Sequence, residues 1–224
     1  TVARSSSRLG AAIDPNVALN SSGLSTQITG GKFTINGVEF TIDPSTQSLN
    51  DILSDITSSS AGVDATYDSV NDKIILTNKT AGDTSRINLG ASGDDSNFLT
   101  AVNLRGASQG ALGDGTTQVV STRNLGAVTP ASKLQDVSFA NGAVTAGVFR
   151  INGIAITVDP ANQSLSDIIS AINNSDAGVT ATYDSLTDGI RVVSKEFGTR
   201  TISFGAASDT SNFLSVVNLT TATQ

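Results

Sequence analysis

The sequence predicts an α+β protein of two similar tandem domains, each an antiparallel β-sheet with a hairpin and one or two short packed helices. The first observation is an internal repeat: Phe-Thr-Ile-Asn-Gly at residues 33–37 returns as Phe-Arg-Ile-Asn-Gly at 149–153, and the following residues continue in parallel at a shift of 116 positions. The second is that each copy passes from strand-like alternation to helix-like spacing. The third is the length of 224 residues, which exceeds the roughly 100–150 residues of a typical domain and therefore suits two domains.

Composition places the boundary between the two domains. Residues 105–117 carry four glycines and few bulky side chains, which is typical of a linker. We therefore predict a first repeat domain at residues 1–106, a glycine-rich linker at 107–117 and a second repeat domain at 118–224. The polar residues 1–31 belong to the repeat as an ordered strand-and-loop lead-in, because Leu-Gly-Ala at 9–11 returns at 125–127.

A β-hairpin begins each copy. In the first copy, two β-prone runs flank Asn36 and Gly37, and an Asn-Gly pair in that setting is a strong signal for a two-residue turn. Such a turn needs positive φ at both positions, which Asn tolerates and Gly adopts freely. Apolar residues alternate with polar ones along both runs, so one face is predicted to be buried. The predicted strands are residues 32–35 and 38–42, and in the second copy 148–151 and 154–158.

A short amphipathic helix follows each hairpin. Ser48 is the predicted N-cap, with Asp51 three residues later in the capping-box position. Ser164 and Asp167 take the same places in the second copy. Apolar residues then recur at helical spacing and predict a stripe that packs against the sheet. They are Leu49, Ile52, Leu53 and Ile56, and in the second copy Leu165, Ile168, Ile169 and Ile172.

Three further strands and a closing helix complete each copy. The predicted strands are residues 63–67, 73–78 and 86–89 in the first copy, and 179–183, 190–194 and 201–204 in the second. Asp95 or Ser96 is predicted to cap a short helix that carries Phe98 and Leu99. The second copy has Phe213 and Leu214 in the same places, where the shift has fallen to 115.

Composition and charge exclude several functions. Thirteen basic residues against twenty acidic ones give a net charge of −7, with no cluster of Lys and Arg along the sequence, so neither nucleic acid nor an anionic membrane is expected as a partner. His and Cys are absent, as are Met and Trp, so no Ser-His or Cys-His pair and no His or Cys metal site can form. Because the chain starts with Thr1, it is expected to be a piece of something longer.

The acidic residues are interpreted as structural, and neither catalytic, metal-binding nor cofactor-binding residues are predicted. The acids that recur in both copies lie at turns and helix starts: Asp43 and Asp159, Asp51 and Asp167, Asp68 and Asp184. Gly93-Asp94-Asp95 and Asp114-Gly115 lack the regular spacing of a calcium loop. Tyr67 and Tyr183 could stack on a sugar, but their equivalent places in a repeat favour packing.

A set of residues in each copy carries a family resemblance. In the first copy they are residues 31–37, 48–49, Ile52, 62–68, 75–77, Lys79 and Gly82, and in the second 151–153, 164–165, Ile168, 178–184, 194–195 and Gly198. This set resembles the flagellin hook IN motif, named for its Ile-Asn pair, which occurs in flagellins and hook-associated proteins of bacterial flagella. The ending Asp-Thr-Ser-Asn-Phe-Leu at 209–214, slightly altered at 94–99, is most similar to the filament-capping hook-associated proteins.

The resemblance implies a structural role and brings no catalytic residues with it. Cap proteins of this family sit as homo-oligomers on the filament tip and help exported flagellin to fold and insert, and some contact host surfaces. Their heptad-rich terminal helices are not visible in this sequence. The resemblance therefore implies outward-facing middle domains, an extracellular place on the flagellum, oligomer contacts outside this chain, and flagellin and other hook-associated proteins as partners. The alternatives are the variable exterior domain of a flagellin and an adhesive or carbohydrate-binding module.

Overall fold

A computed structural model gives the structure of the protein and describes residues 1–196 and 200–224. Small antiparallel sheets and short helices make up these residues, which confirms the α+β fold class. Gly198, one of the residues that carry the resemblance, lies outside the described residues.

In chain order the strands are β1 (Val2–Arg4), β2 (Gly31–Ile35), β3 (Val38–Ile42), β4 (Val63–Asp68), β5 (Lys73–Asn78), β6 (Gln109–Ala111), β7 (Thr117–Val120), β8 (Gly147–Ile151), β9 (Ile154–Val158), β10 (Val179–Asp184) and β11 (Gly189–Ser194). The α-helices are α1 (Leu49–Ser58), α2 (Phe98–Ala101), α3 (Leu165–Asn174) and α4 (Phe213–Val216).

The contacts within the chain group these elements into two compact units. The contiguous unit comprises residues 12–126, and the two-segment unit comprises residues 1–11 together with residues 127–224. This grouping differs from boundaries at 106 and 117, because β1 leaves the first repeat and pairs antiparallel with β11. Residues 109–111, inside the glycine-rich stretch, form β6 and pair with β7.

The contiguous unit is built from two sheets and a helix. Hairpin β2–β3 forms one sheet, and β4, β5, β7 and β6 form the other in that order. Helix α1 packs against β3 and β4, and its apolar stripe is buried as predicted. The ring of Phe33 lies 5.1 Å from that of Phe40 and 4.5 Å from that of Phe98, which joins the hairpin to α2.

The two-segment unit repeats this plan with its own core. Hairpin β8–β9 forms one sheet, and β1, β11 and β10 form the other in that order. The rings of Phe149 and Phe213 stack at 4.8 Å, so the hairpin again meets the closing helix. Helix α3 buries three of its four predicted apolar residues, whereas Ile169 is half-buried.

The Asn-Gly turns have the predicted geometry and a further role. Asn36 and Gly37 have φ of 49° and 80°, and Asn152 and Gly153 have 50° and 81°. The side chain of Asn36 also accepts a hydrogen bond from the Asn88 N–H at 2.7 Å and donates one to the Ala61 carbonyl at 2.8 Å. Asn at this position therefore ties the hairpin to two other segments.

Capping boxes start the two longer helices, as the sequence predicts. The hydroxyl of Ser48 accepts from the Asp51 N–H at 3.2 Å, and the Asp51 carboxylate accepts from the Ser48 N–H at 2.9 Å. The corresponding distances between Ser164 and Asp167 are 3.2 and 2.8 Å. Two otherwise unsatisfied N–H groups of each helix start are thereby satisfied.

Two predictions about the end of each copy are wrong. Residues 86–89 and 201–204 are not strands, and only isolated bridges at Leu89 and Phe204 are formed. The reason is that a glutamine side chain replaces a neighbouring strand: the Gln109 amide accepts from the Ile87 N–H at 2.9 Å and donates to its carbonyl at 2.6 Å. Gln224 does the same at Ile202.

The N-cap of α2 is also not the one predicted. The helix begins after Asn97, which makes no side-chain capping bond. The Ser96 hydroxyl accepts a bond from the Phe98 N–H at 3.2 Å, and the Asp95 carboxylate instead accepts from the Lys32 N–H at 2.5 Å. Ser96 thus binds the first N–H of α2, and Asp95 ties the segment before the helix to β2.

Candidate functional site

The recurring acidic residues hold backbone turns and helix starts. In each of the three pairs, a carboxylate oxygen accepts a hydrogen bond from a backbone N–H two or three residues away. The Ser48 backbone N–H holds the pKa of Asp51 below its usual value, and the Ser164 N–H does the same to the pKa of Asp167. Carboxylates stabilised in the ionised form are poorly suited to exchange protons near neutral pH.

A buried aspartate joins the start and the end of the contiguous unit. The Asp72 carboxylate accepts hydrogen bonds from the Ile13 N–H at 3.2 Å, the Gly126 N–H at 2.7 Å and the Tyr67 hydroxyl at 2.6 Å. Its carbonyl accepts from the Leu125 N–H at 2.8 Å. Asp72 is fully buried and has φ of 54°, so its position depends on these partners.

Asp188 makes the same junction in the two-segment unit. Its carboxylate accepts from the Val128 N–H at 3.0 Å, the Gly10 N–H at 2.8 Å and the Tyr183 hydroxyl at 2.6 Å. Its carbonyl accepts from the Leu9 N–H at 2.8 Å. The sequence indicated only a turn here; the signal for more was the equal spacing between Tyr and Asp in both copies, 67 to 72 and 183 to 188.

The loop acids considered for calcium also bind backbone and hydroxyl groups. The Asp94 carboxylate accepts from the Thr34 hydroxyl at 2.6 Å and the Ala91 N–H at 2.9 Å, and Asp114 accepts from the Thr116 N–H at 3.0 Å. Across residues 1–196 and 200–224, no group of three or more carboxylates is placed to hold a metal ion. In the same residues, no helix is long and apolar enough to cross a membrane.

Two large apolar side chains are exposed at equivalent places. Val70 and Leu186 lie in the turns that follow β4 and β10, and they are 82% and 71% exposed. Single exposed apolar side chains are common on protein surfaces, but these two recur at positions 116 residues apart, at the same place in each copy. These two tips are candidate contact points for another protein.

A cleft in the two-segment unit is lined by several arginines. It has a volume of about 220 Å3 and is lined by Arg4, Arg8, Arg191, Asp184 and the hydroxyl residues 5–7 and Thr187. Arg4 on β1 lies directly opposite Arg191 on β11. Three of the chain's thirteen basic residues therefore meet at one place. This cluster could not be found from the sequence alone, because its members lie up to 187 positions apart.

Comparison with known proteins finds similarity to flagellar proteins. Residues 148–196 match the flagellin hook IN motif family. The chain is 33% identical over 163 residues to flagellar hook-associated protein 2 of Thermotoga maritima, a match that covers 70% of this chain and 25% of that protein. The chain thus spans about a quarter of the length of this relative. The flagellar cap protein FliD from Helicobacter pylori aligns with 97% of this chain and 78% of its own at 15% identity, but a TM-score of 0.25 is too low to say anything about shared fold. The sequence and motif matches confirm the resemblance to the hook-associated proteins.

Proposed function

We propose that this chain, a relative of flagellar hook-associated protein 2 that carries a flagellin hook IN motif, forms outward-facing domains of a bacterial flagellar filament cap. The observation that carries the proposal is the 33% identity over 70% of the chain. The protein would lie outside the cell, at the filament tip, and would assist the assembly of flagellin. Its role is structural, and no enzymatic activity is proposed.

The partners follow from this place in the flagellum. Flagellin and other hook-associated proteins are the proposed partners, and host surfaces are a further one. Homo-oligomer contacts are assigned to parts of the protein outside these residues, because the helices of the described residues have at most ten residues and coiled coils need several heptads. The exposed tips at Val70 and Leu186 are the proposed contact points with flagellin.

A deletion and complementation experiment tests the proposal. The gene of the full-length protein is deleted in its native bacterium, and the medium and the filaments are examined. Unassembled flagellin in the medium and short or missing filaments are expected. Growth of normal filaments in the deletion strain would contradict a cap.

The role of these residues is then tested within the full-length protein. Complementation with V70S/L186S is expected to reduce filament length if the tips contact flagellin, whereas V17S, which changes another exposed apolar residue, should leave filament length unchanged. Normal filaments with both variants would contradict the proposed contact points but leave the cap itself unaffected.

The motif match also favours a second candidate, the variable exterior domain of a flagellin, because the matched family is named for flagellin. In that case, deletion of the gene would remove the filament itself rather than release its subunits. The third candidate, a carbohydrate-binding module, would use Tyr67 and Tyr183. Both hydroxyls donate to buried aspartates, so a glycan array with Y67F and Y183F variants should show no saturable binding that depends on them.

A further inference from the structure

The two units differ in one cross-strand pair at the same register. In the contiguous unit, Ile75 on β5 lies opposite Val120 on β7. In the two-segment unit, Arg191 on β11 lies opposite Arg4 on β1. Each arginine is 116 positions from its apolar counterpart, so both belong to the repeat. The corresponding sheet of the contiguous unit has an aliphatic pair at this place, so this pairing of strands does not by itself require arginines.

The arginine pair is electrostatically unfavourable by itself. Like charges directly opposite each other on neighbouring strands repel. Within residues 1–196 and 200–224, neither guanidinium makes a hydrogen bond or a close ion pair. The nearest compensation is Asp184 in the same cleft, whose pKa is lowered first by the Leu186 backbone N–H and more weakly by the charge of Arg4.

The surroundings add further positive charge and hydrogen-bond donors. Arg8 lines the same cleft, so three arginines and one aspartate border it. Its counterpart in the contiguous unit is the neutral Asn124. The hydroxyl of Ser5 is already used, since it donates to the Val217 carbonyl at 2.7 Å, whereas Ser7 is exposed beside the arginines. The cleft of about 220 Å3 exceeds the roughly 10–15 Å3 that one water needs.

We propose that Arg4 and Arg191 form a binding site for a sulfate or phosphate group. A guanidinium binds such an oxyanion through two parallel N–H donors, and two opposed guanidiniums hold it from both sides. The bound anion removes the repulsion between the arginines. The site is independent of the proposed place of the protein in the flagellum.

Titration calorimetry with inorganic phosphate, and with sulfate in a second series, tests the site at constant ionic strength. The test variant is R4V/R191I, which installs the aliphatic pair of the contiguous unit. The control is R86Q/K133Q, which removes two charges from exposed positions elsewhere. Saturable binding of one anion to the unaltered protein and the control is expected, with at least tenfold weaker binding to R4V/R191I. Equal binding to all three proteins, or no saturable binding, would overturn the proposal.

Thermal unfolding and NMR provide independent readings. Sulfate stabilises folded proteins in general, so the diagnostic result is a saturable rise of the unfolding temperature that R4V/R191I lacks. The Nε–Hε signals of Arg4 and Arg191 should shift with phosphate at the calorimetric midpoint, whereas shifts confined to other arginines would refute the site. Glucose 6-phosphate distinguishes the source: tighter binding than inorganic phosphate indicates a group carried on a larger molecule, and weaker binding indicates the free anion.

Discussion

The contiguous and two-segment units have the same elements but draw them differently from the chain. In the contiguous unit, the strand that pairs with β5 on the side away from β4 is β7, which follows the first repeat in the sequence. In the two-segment unit, the matching strand is β1, at the opposite end of the sequence from β11. The comparison shows that each compact unit consists of one repeat plus the lead-in strand of the other copy. It also separates residues that both units keep, such as Asp72 and Asp188, from those that only one has, such as Arg4.

The largest effect is expected when the borrowed strand is removed. A protein of residues 12–126 should fold and unfold cooperatively, whereas one of residues 127–224 should not. The second lacks Leu9, whose burial alone contributes about 1.5–3 kcal/mol, and the Gly10 N–H, whose loss leaves the buried Asp188 short of a donor. These losses are large against a total stability of about 5–15 kcal/mol.

Circular dichroism and urea unfolding measure this difference. As a control, residues 1–11 are joined behind residue 224 through a flexible glycine-serine linker, which should restore cooperative unfolding. If residues 127–224 fold as stably without β1 as with it, the contact grouping does not describe the folding units.

Removal of the buried aspartates is the next largest effect, and it should be similar in both units. D72A and D188A each leave two buried backbone N–H groups without an acceptor, while the tyrosine hydroxyl keeps a neighbouring carbonyl oxygen within reach. Since an unsatisfied buried group costs about 1–3 kcal/mol, each variant should lose about 3–5 kcal/mol of unfolding free energy. D72N and D188N keep one carbonyl oxygen and tolerate positive φ, so they should lose less. Denaturant unfolding checks the order, and a D188A protein as stable as the parent would show that the junction is unimportant.

Loss of a capping hydroxyl should cost less, and again equally. S48A and S164A each remove the acceptor for an N–H of the first helical turn. Each is expected to lose about 1 kcal/mol, the usual cost of replacing a Ser N-cap by Ala. Hydrogen exchange of α1 and α3 amides localises the effect. S54A, on the exposed face of α1, serves as the matched control and should be nearly neutral.

The pH dependence gives the smallest effect. The lowered pKa values of Asp51 and Asp167 mean that their ionised forms stabilise the folded state above the unfolded pKa, which is near 3.8. This contribution is lost as the pH falls through the folded pKa. With no histidine in the chain, stability should be nearly constant between about pH 5 and 7. Unfolding temperatures measured over this range and down to pH 2.5 check it, and a transition near pH 6 would be inconsistent with the sequence.

Local features of the fold could be predicted from the sequence, since each has a local cause. The Asn36-Gly37 turn, the capping boxes and the apolar stripes all depend on residues within one turn or one helix. The strands expected at 86–89 and 201–204 failed because Gln109 and Gln224, more than 20 positions away, bind the backbone there in place of a strand. Local β-propensity cannot reveal such a partner.

The arginine cluster lay beyond sequence reasoning for a related reason. Arg4 and Arg191 become neighbours only through the pairing of β1 with β11. Once that register is known, the repeat shift of 116 positions aligns Arg4 with Val120 and Arg191 with Ile75. The change from an aliphatic pair to an arginine pair is then evident. An internal repeat thus serves as its own reference, and positions where the copies differ in charge indicate where to search for function.

The pairing of β1 with β11 also sets an order in time. As a chain emerges from its N-terminus, residues 12–126 contain all they need and can fold while the rest is still unmade. The side chains of Ala3 and Leu9 are fully buried in the folded protein, but they stay exposed until residues 188–192 have been synthesised. The loop that then closes is long, but the contiguous unit within it is already compact, which reduces the entropy cost of closing it. Residues 1–11 are therefore made before the contiguous unit but placed after it.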